Sequence, residues 1–327
     1  MALNYINKES LLIHDLYEGI NMKGKDIITL HDLTTDEIFK ILKTTDILKK
    51  QQMKGEVYKP LKGKTLGMIF HKSSTRTRVS FEVAMWQLGG YALFLNKNDL
   101  QLNRGETIAD TARVLSRYLD AIMIRTYSHD DVVELAEYAD IPVINGLTDL
   151  THPCQVLADL YTIYEYKKKL AGLKLAYVGD GNNMANSLLF GCTKVGMDIS
   201  IASPEMYQPE EFIVKLAKED AKLTGSSVVI TDSVKEAVED ADIIYTDVWA
   251  SMGQEDEYEV RLKAFKDYQV NQEVVNMAKD DVIVMHCLPA HRGEEITHEV
   301  IEGPHSVVFD EAENRLHTQK AILALVM

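Results

Sequence analysis

The stretch LGMIFHKSSTRTRVSFEVAMWQLGGYALFL, residues 66–95, reads as strand, loop, helix and strand. Leu66–Phe70 is a short apolar run of strand length. A polar loop follows. Phe81, Ala84, Met85 and Leu88 then recur at helical spacing on one face, and Gly89-Gly90 ends that helix. Tyr91–Leu95 reads as the next strand. A helix placed between strands is the unit from which parallel α/β sheets are built.

The same alternation extends in both directions. Upstream, Thr34-Thr35-Asp36-Glu37 opens a helical pattern through Ile38, Ile41, Leu42 and Leu48. Downstream, Ala109–Leu119 and Val132–Tyr138 read as helices, and Ala121–Ile124 and Pro142–Ile144 as strands. Residues 151–168 carry a long helical pattern through Val156, Leu157, Leu160, Ile163 and Tyr164 that can bridge two domains. A second series follows, with strands at Lys174–Val178, Asp198–Ala202, Val228–Thr231, Ile243–Thr246 and Val282–His286, and a helix near Ala185–Val195. Residues 309–327 end in a helix through Ala312, Leu316, Ile322 and Leu325. The pattern predicts two α/β domains, each a parallel sheet flanked by helices, joined by interdomain helices. The expected limits are an N-terminal arm at 1–22, a first domain at 23–150, a second at 151–308, and a C-terminal helix at 309–327 that packs back on the first.

The chain has 327 residues and a net charge of −15. That argues against nucleic acid or an anionic membrane as the main partner. The charge is uneven: residues 1–150 hold 19 basic and 20 acidic side chains, residues 151–327 hold 16 and 30, so the halves carry −1 and −14. An anion handled by one half and a cation by the other would fit this split. Three cysteines, Cys154, Cys192 and Cys287, suggest reduced thiols. No signal or transit peptide is evident at the start, and no run reaches the ~18 apolar residues of a membrane span. A cytoplasmic location is expected.

Five sites draw attention. Ser73-Ser74-Thr75-Arg76-Thr77-Arg78 lies between a strand and a helix start. Helix N-termini offer unpaired N–H groups and a positive dipole end, so they receive phosphate readily. A serine-rich cap alone would be an ordinary capped helix. Two arginines and four hydroxyls at one turn favour an anion site. The spacing is not that of a Walker loop. Gly179-Asp180-Gly181-Asn182-Asn183-Met184 also sits at a strand-to-helix turn, but Met184 occupies the third glycine position of a dinucleotide fingerprint. The next strand ends at Ala202-Ser203-Pro204 without an acid for a ribose. The two asparagines could instead hold a zwitterionic amino acid.

His152-Pro153-Cys154-Gln155 starts the bridging helix, where a histidine before proline is commonly a turn residue. His286-Cys287-Leu288-Pro289 ends an apolar strand, where open α/β sheets bind ligands. His286, Cys287 and His291 could approach a metal, but no standard zinc spacing is present. Asp247-Val248-Trp249-Ala250-Ser251-Met252-Gly253 follows another strand, where an aspartate can bind an ammonium group. Alone it would read as a capped turn.

These elements, in this order, resemble the aspartate/ornithine carbamoyltransferase family from about Leu30 to the C-terminus. Ser74–Arg78, His152–Gln155 and His286–Pro289 are similar to its hallmarks. Asp247 with Ser251-Met252-Gly253 resembles the amino-acid loop of its ornithine branch. The resemblance implies that Ser74, Thr75, Arg76 and Thr77 bind the phosphate and carbonyl of carbamoyl phosphate. Arg125, His152 and Gln155 would complete that site, with Arg315 reaching it from the C-terminal segment. Gln101 resembles a residue lent by a neighbouring subunit, which implies a homotrimer or a multiple of one. Asn183, Asp247, Ser251 and Met252 would bind L-ornithine, with Cys287 and Leu288 beside its attacking amine. Arg76, Arg125, His152, Asp247 and Cys287 are the expected catalytic set. Neither a metal nor a cofactor is implied.

Within the family, the aspartate branch is expected to read His-Pro-Leu-Pro-Arg where this chain has His286-Cys287-Leu288-Pro289-Ala290. A putrescine branch resembles Tyr-Gly-Leu at positions 251–253. A non-catalytic binding relic would be expected to have lost side chains such as Arg76, His152 and Cys287, which are present.

Overall fold

The computed structural model describes residues 19–251 and 253–327. Most of the expected N-terminal arm, residues 1–18, and Met252 lie outside the described residues. The described chain forms two compact units. One runs to Tyr161 and resumes at Glu313–Met327; the other is Thr162–Ala312. The divisions therefore fall inside the helices Pro153–Lys167 and Val308–Val326, not at 150 and 308. Each helix carries one continuous apolar pattern, so nothing in the pattern marks the turn at which the chain changes unit.

The first unit holds β1 (Thr65–Phe70), β2 (Tyr91–Asn96), β3 (Ala121–Arg125) and β4 (Val143–Leu147), all parallel, in the order β2-β1-β3-β4. β1 after its first residue and all of β3 are buried. Central strands of a parallel sheet are covered on both faces, which explains apolar runs without alternation. Ile69, Ile122, Ile124 and Val143 form a core with Val132 and Leu135 of the His129–Tyr138 helix. The edge of β4 is closed by Ile27, whose N–H donates 2.9 Å to the Val143 carbonyl. Thr34 and Glu37 form a reciprocal capping box on the Thr35–Met53 helix. The last helix joins this unit through Gly24 N–H to the Val326 carbonyl (2.8 Å) and Lys49 to Asn314 (2.7 Å).

The helix expected to reach Leu119 spans Ile108–Leu115. Ser116 bonds back to the Ala112 carbonyl and receives the Asp140 N–H, so it turns the chain there.

The second unit holds β5 (Lys174–Val178), β6 (Asp198–Ala202), β7 (Val228–Thr231), β8 (Ile243–Thr246) and β9 (Ile283–His286), parallel, in the order β7-β6-β5-β8-β9. Its core includes Val178, Ala202, Ile244, Trp249, Phe265 and Val284. The Glu211–Thr224 helix between β6 and β7 was not anticipated from the sequence.

Both sheets have a point where strand order reverses, between β1 and β3 and between β5 and β8. Open α/β sheets bind ligands outside the carboxyl ends of strands at such points. Ser73–Arg78 follows β1, and Arg125 ends β3. Gly179–Asn183 follows β5, Asp247 follows β8, and Cys287 follows β9. No described helix is long and apolar enough to cross a membrane.

Candidate active site

In the first unit, Ser74 caps the Thr75–Gln87 helix. Its hydroxyl accepts from Thr77 N–H at 3.2 Å, and its extended backbone turns the chain out of the strand direction. Thr77 is fully buried, and Arg315 Nη2 donates to its Oγ1 at 2.9 Å across 238 positions of sequence. Arg125 is buried at the end of β3, and His152 is buried just before the Pro153–Lys167 helix. Burial first, then the guanidinium groups of Arg315, Arg125 and Arg76, hold the His152 pKa well below its ordinary value. The imidazole is therefore neutral at pH 7. Gln155 is buried and donates to Asp159 at 2.8 Å. Burial pushes the neighbouring Cys154 thiol up to about 12, so it stays protonated.

Thus the fold gathers Thr77, Arg76, Arg125, His152 and Arg315 about one helix N-terminus. Cations clustered in a low-dielectric interior repel one another, and an anionic ligand relieves that cost. Arg78, from the same loop, is exposed. It pairs with Glu82 and lies over the Phe94 ring. Gln101 is also exposed, in the short 3-10 turn Gln101–Arg104, outside this buried cluster.

In the second unit, Asn182 caps the Asn183–Val195 helix, its Oδ1 accepting from Met184 and Ala185 N–H. Its Nδ2 donates to Asp247 Oδ2 at 3.1 Å. Asp247 Oδ1 accepts from the Cys287 thiol at 3.1 Å and from Val248 N–H at 2.8 Å. An amide, a carboxylate and a thiol from three strand ends are thus linked. Asn183 is the first residue of the helix. Gly181 lets two loops meet, since a Cβ there would lie 2.3 Å from Pro209 N.

His286 is fully buried. Leu288 N–H donates to its Nδ1 at 2.9 Å, so in the neutral ring Nε2 carries the proton and donates to Glu295 Oε1, also at 2.9 Å. Its backbone N–H donates to Glu311. This bonding holds Leu288 at φ 58°, a region unfavourable for leucine, and so fixes the course of Cys287-Leu288. Ser251 N–H donates to Gln254 Oε1 at 2.9 Å. Two groups bring donor atoms within 4.8 Å of one another, as a metal would need: Asp247, His286 and Cys287, and His291, Glu294 and Glu295. In the first group both ring nitrogens of His286 are already committed, which opposes metal ligation there.

Sequence reasoning missed several residues. For Asn182, singled out with Asn183 as a holder of an amino acid, it missed the roles of helix cap and partner of Asp247. Asp180 pairs with Arg261 at 2.9 Å, and burial still pushes its carboxyl up to about 6. Glu295 and Glu311 brace His286. Asp180 and Asn182 lay inside a motif already singled out. Arg261 sits in the charged run from Asp256 to Lys263, which reads as solvated surface.

Known families match this arrangement. The carbamoyl-P binding domain of the aspartate/ornithine carbamoyltransferases matches residues 25–165, and the Asp/Orn binding domain of the same family matches residues 171–326. The chain belongs to the aspartate/ornithine carbamoyltransferase family. It is 59% identical over 308 residues to the ornithine carbamoyltransferase of Pyrococcus abyssi, covering 94% of this chain and 97% of that one. It is 58% identical over 308 residues to the anabolic ornithine carbamoyltransferase of Pyrococcus furiosus, covering 94% and 98%. The solved ornithine carbamoyltransferase from Pyrococcus furiosus superposes with a TM-score of 0.92 at 58% identity, covering 94% of this chain and 98% of that one.

Proposed function

We propose that this chain transfers the carbamoyl group of carbamoyl phosphate to the δ-amine of L-ornithine, giving L-citrulline and phosphate. The observation that carries this reading is the Asn182–Asp247–Cys287 chain at the strand-order reversal of the second sheet. A carboxylate placed there complements an α-ammonium and repels the side chain of aspartate. Near full-length likeness to proteins named ornithine carbamoyltransferase supports it.

In this reading Ser74, Thr75, Arg76 and Thr77 hold the phosphate at the helix N-terminus. Arg125, His152, Gln155 and Arg315 hold the carbamoyl group. Asp247, Asn183, Ser251 and Met252 hold the α-amino and α-carboxylate groups of ornithine, with Cys287 and Leu288 beside the δ-amine. The neutral δ-amine attacks the carbamoyl carbon, and negative charge develops on the carbonyl oxygen. A new C–N bond forms, the C–O bond to phosphate breaks, and the amine releases a proton. Fixed guanidinium groups stabilise charge on both oxygens without reorganising. A neutral His152 donates an N–H to the carbonyl oxygen without adding a fourth positive charge.

Assembly and location belong to the same reading. Among the described residues β2 is an edge strand with Tyr91 exposed, and Trp86 and Val79 of the adjacent Thr75–Gln87 helix are exposed too. Such an apolar face, leading into Gln101, supports a homotrimer in which a neighbour's Gln101 completes each site. Three cysteines, none of them in a disulfide, support a reducing, cytoplasmic setting. The word anabolic in one relative's name supports a role in arginine biosynthesis. The deciding experiment incubates purified protein with carbamoyl phosphate and ornithine, putrescine or aspartate in turn. Citrulline from ornithine is expected. Its absence from an intact, folded protein overturns the reading.

A further inference from the structure

The segment between β8 and the Tyr258–Ala264 helix carries Ser251 and Gly253, and its two ends are held by one side chain. Arg261 lies on that helix and is 6% exposed, although Asp256, Glu257, Glu259 and Lys263 around it are exposed. Its Nη1 donates to the Trp249 carbonyl at 2.9 Å, just before Ser251. Its Nε donates to Glu257 at 3.0 Å, just after Gln254. The same Nη1 donates to Asp180 Oδ2 at 2.9 Å, in the turn that also presents Asn182 and Asn183. Its planar face lies 4.8 Å from the Tyr207 ring centroid.

Burying a guanidinium is costly, and an apolar replacement for a buried ion pair is often neutral for stability. Stability alone is therefore a weak reason for this arrangement. Its geometric effect is specific. One rigid fork closes the loop at both ends and fastens it to the turn beside Asp247.

We propose that Arg261 is a positioning residue for the amino-acid substrate, stapling the 249–257 loop to the Asp180 turn so that Ser251, Asn183 and Asp247 meet the α-amino and α-carboxylate groups. The inference rests on the ornithine reading above and adds a residue that touches no substrate. The staple acts on head-group binding and leaves the carbamoyl phosphate residues, which lie on the other unit, unaffected.

The test uses the full-length enzyme with Arg261→Met, Arg261→Lys and Asp180→Asn. Three quantities are read: KM for ornithine, KM for carbamoyl phosphate, and Ki for L-norvaline. Norvaline has the same head group and three-carbon chain but no reacting amine, so it reports head-group binding alone. Arg261→Met is expected to raise ornithine KM and norvaline Ki by about tenfold or more, with carbamoyl phosphate KM within about twofold. Arg261→Lys recovers part of the loss, because an ammonium reaches some of the acceptors but lacks the fork. Asp180→Asn gives a smaller rise in the same two quantities. If Arg261→Met does not fold, Arg261→Lys and Asp180→Asn decide: norvaline Ki unchanged in both overturns the proposal. Equal loss for both substrates also overturns it, since that marks general damage. A wild-type protein that makes no citrulline refutes the ornithine reading itself, a different outcome from an active enzyme whose variants bind norvaline normally.

Discussion

The carboxyl ends of β1 and β3 in one unit and of β5 and β8 in the other are equivalent places in two parallel sheets, yet they are furnished with opposite charge. The first gathers Arg76, Arg125 and Arg315 around a helix N-terminus and a neutral His152. The second links Asn182, Asp247 and Cys287, with Asp180 close behind. Topology fixes where a ligand sits, and the residues placed there decide its charge. The net charges of −1 for residues 1–150 and −14 for residues 151–327 follow the same division.

The largest effect expected from this contrast concerns the head group. Putrescine has ornithine's reacting amine and chain length but no α-carboxylate. Sites built to hydrogen-bond a missing group can reject the analogue by as much as ~10⁴-fold. Ornithine should exceed putrescine by at least ~10³ in kcat/KM, below that ceiling because water can enter the gap. Asp247→Asn should harm ornithine far more than putrescine. Values within tenfold of each other would remove the head-group role from the acidic site.

Next in size is the cationic site. Arg76→Ala should lose at least ~2–3 kcal/mol of transition-state stabilisation, the range of lost charged hydrogen bonds. Turnover within threefold of wild type at saturating substrates, with KM unchanged, would show that the cluster binds no reacting anion.

A moderate effect tests whether the cationic site is complete within one chain. Arg76→Ala and Gln101→Ala proteins should each be nearly inactive. If the assembly is the proposed trimer, an equal mixture should regain up to about a quarter of wild-type activity, because that share of all sites joins an intact Arg76 to a neighbour's intact Gln101. Verified hybrids without recovery would place the whole site in one subunit.

The smallest effect separates the units by pH. His71, His129, His152 and His317 all belong to the first unit, and burial lowers the pKa of each below 6.5. Unfolded chains then bind more protons than the folded unit, so its stability falls as pH drops below 6.5. Asp180 in the second unit is raised to about 6. Its folded form holds the proton more tightly, so this group adds stability as pH falls through 6. Hydrogen exchange between pH 7 and 5.5 should show the first unit losing protection first. The reverse order would contradict the burial of those histidines.

Much of this was legible in the sequence because it is local. Lys174–Val178, Asp198–Ala202, Val228–Thr231 and Ile243–Thr246 have the ends read from apolar patterning. Three of them are buried in all but at most their first residue, as central parallel strands are, whereas Val228–Thr231 is a half-exposed edge strand. The anion loop was legible because its donors are adjacent, Ser74 to Arg78. Other pairings lie far apart in the chain: Thr77 with Arg315, and Asp180 with Arg261. No periodicity reports them. Arg315 and Arg125 entered only through family resemblance. Arg261 had no signal at all, since a buried arginine among exposed acids looks like any solvated helix face.

The first unit is completed by Glu313–Met327, the last residues of the chain. During synthesis the N-terminal sheet leaves the ribosome early but lacks Arg315 and the closing helix. The intervening Thr162–Ala312 is continuous in sequence, and domains generally fold as units while the chain emerges. The inner unit can therefore mature while the outer one waits. Glu313–Met327 is made after the whole of Thr162–Ala312, so Thr77 meets its arginine only once the intervening unit has been synthesised. A nascent chain that has not reached Arg315 has no assembled anion site, and removing Glu313–Met327 would delete part of the first unit.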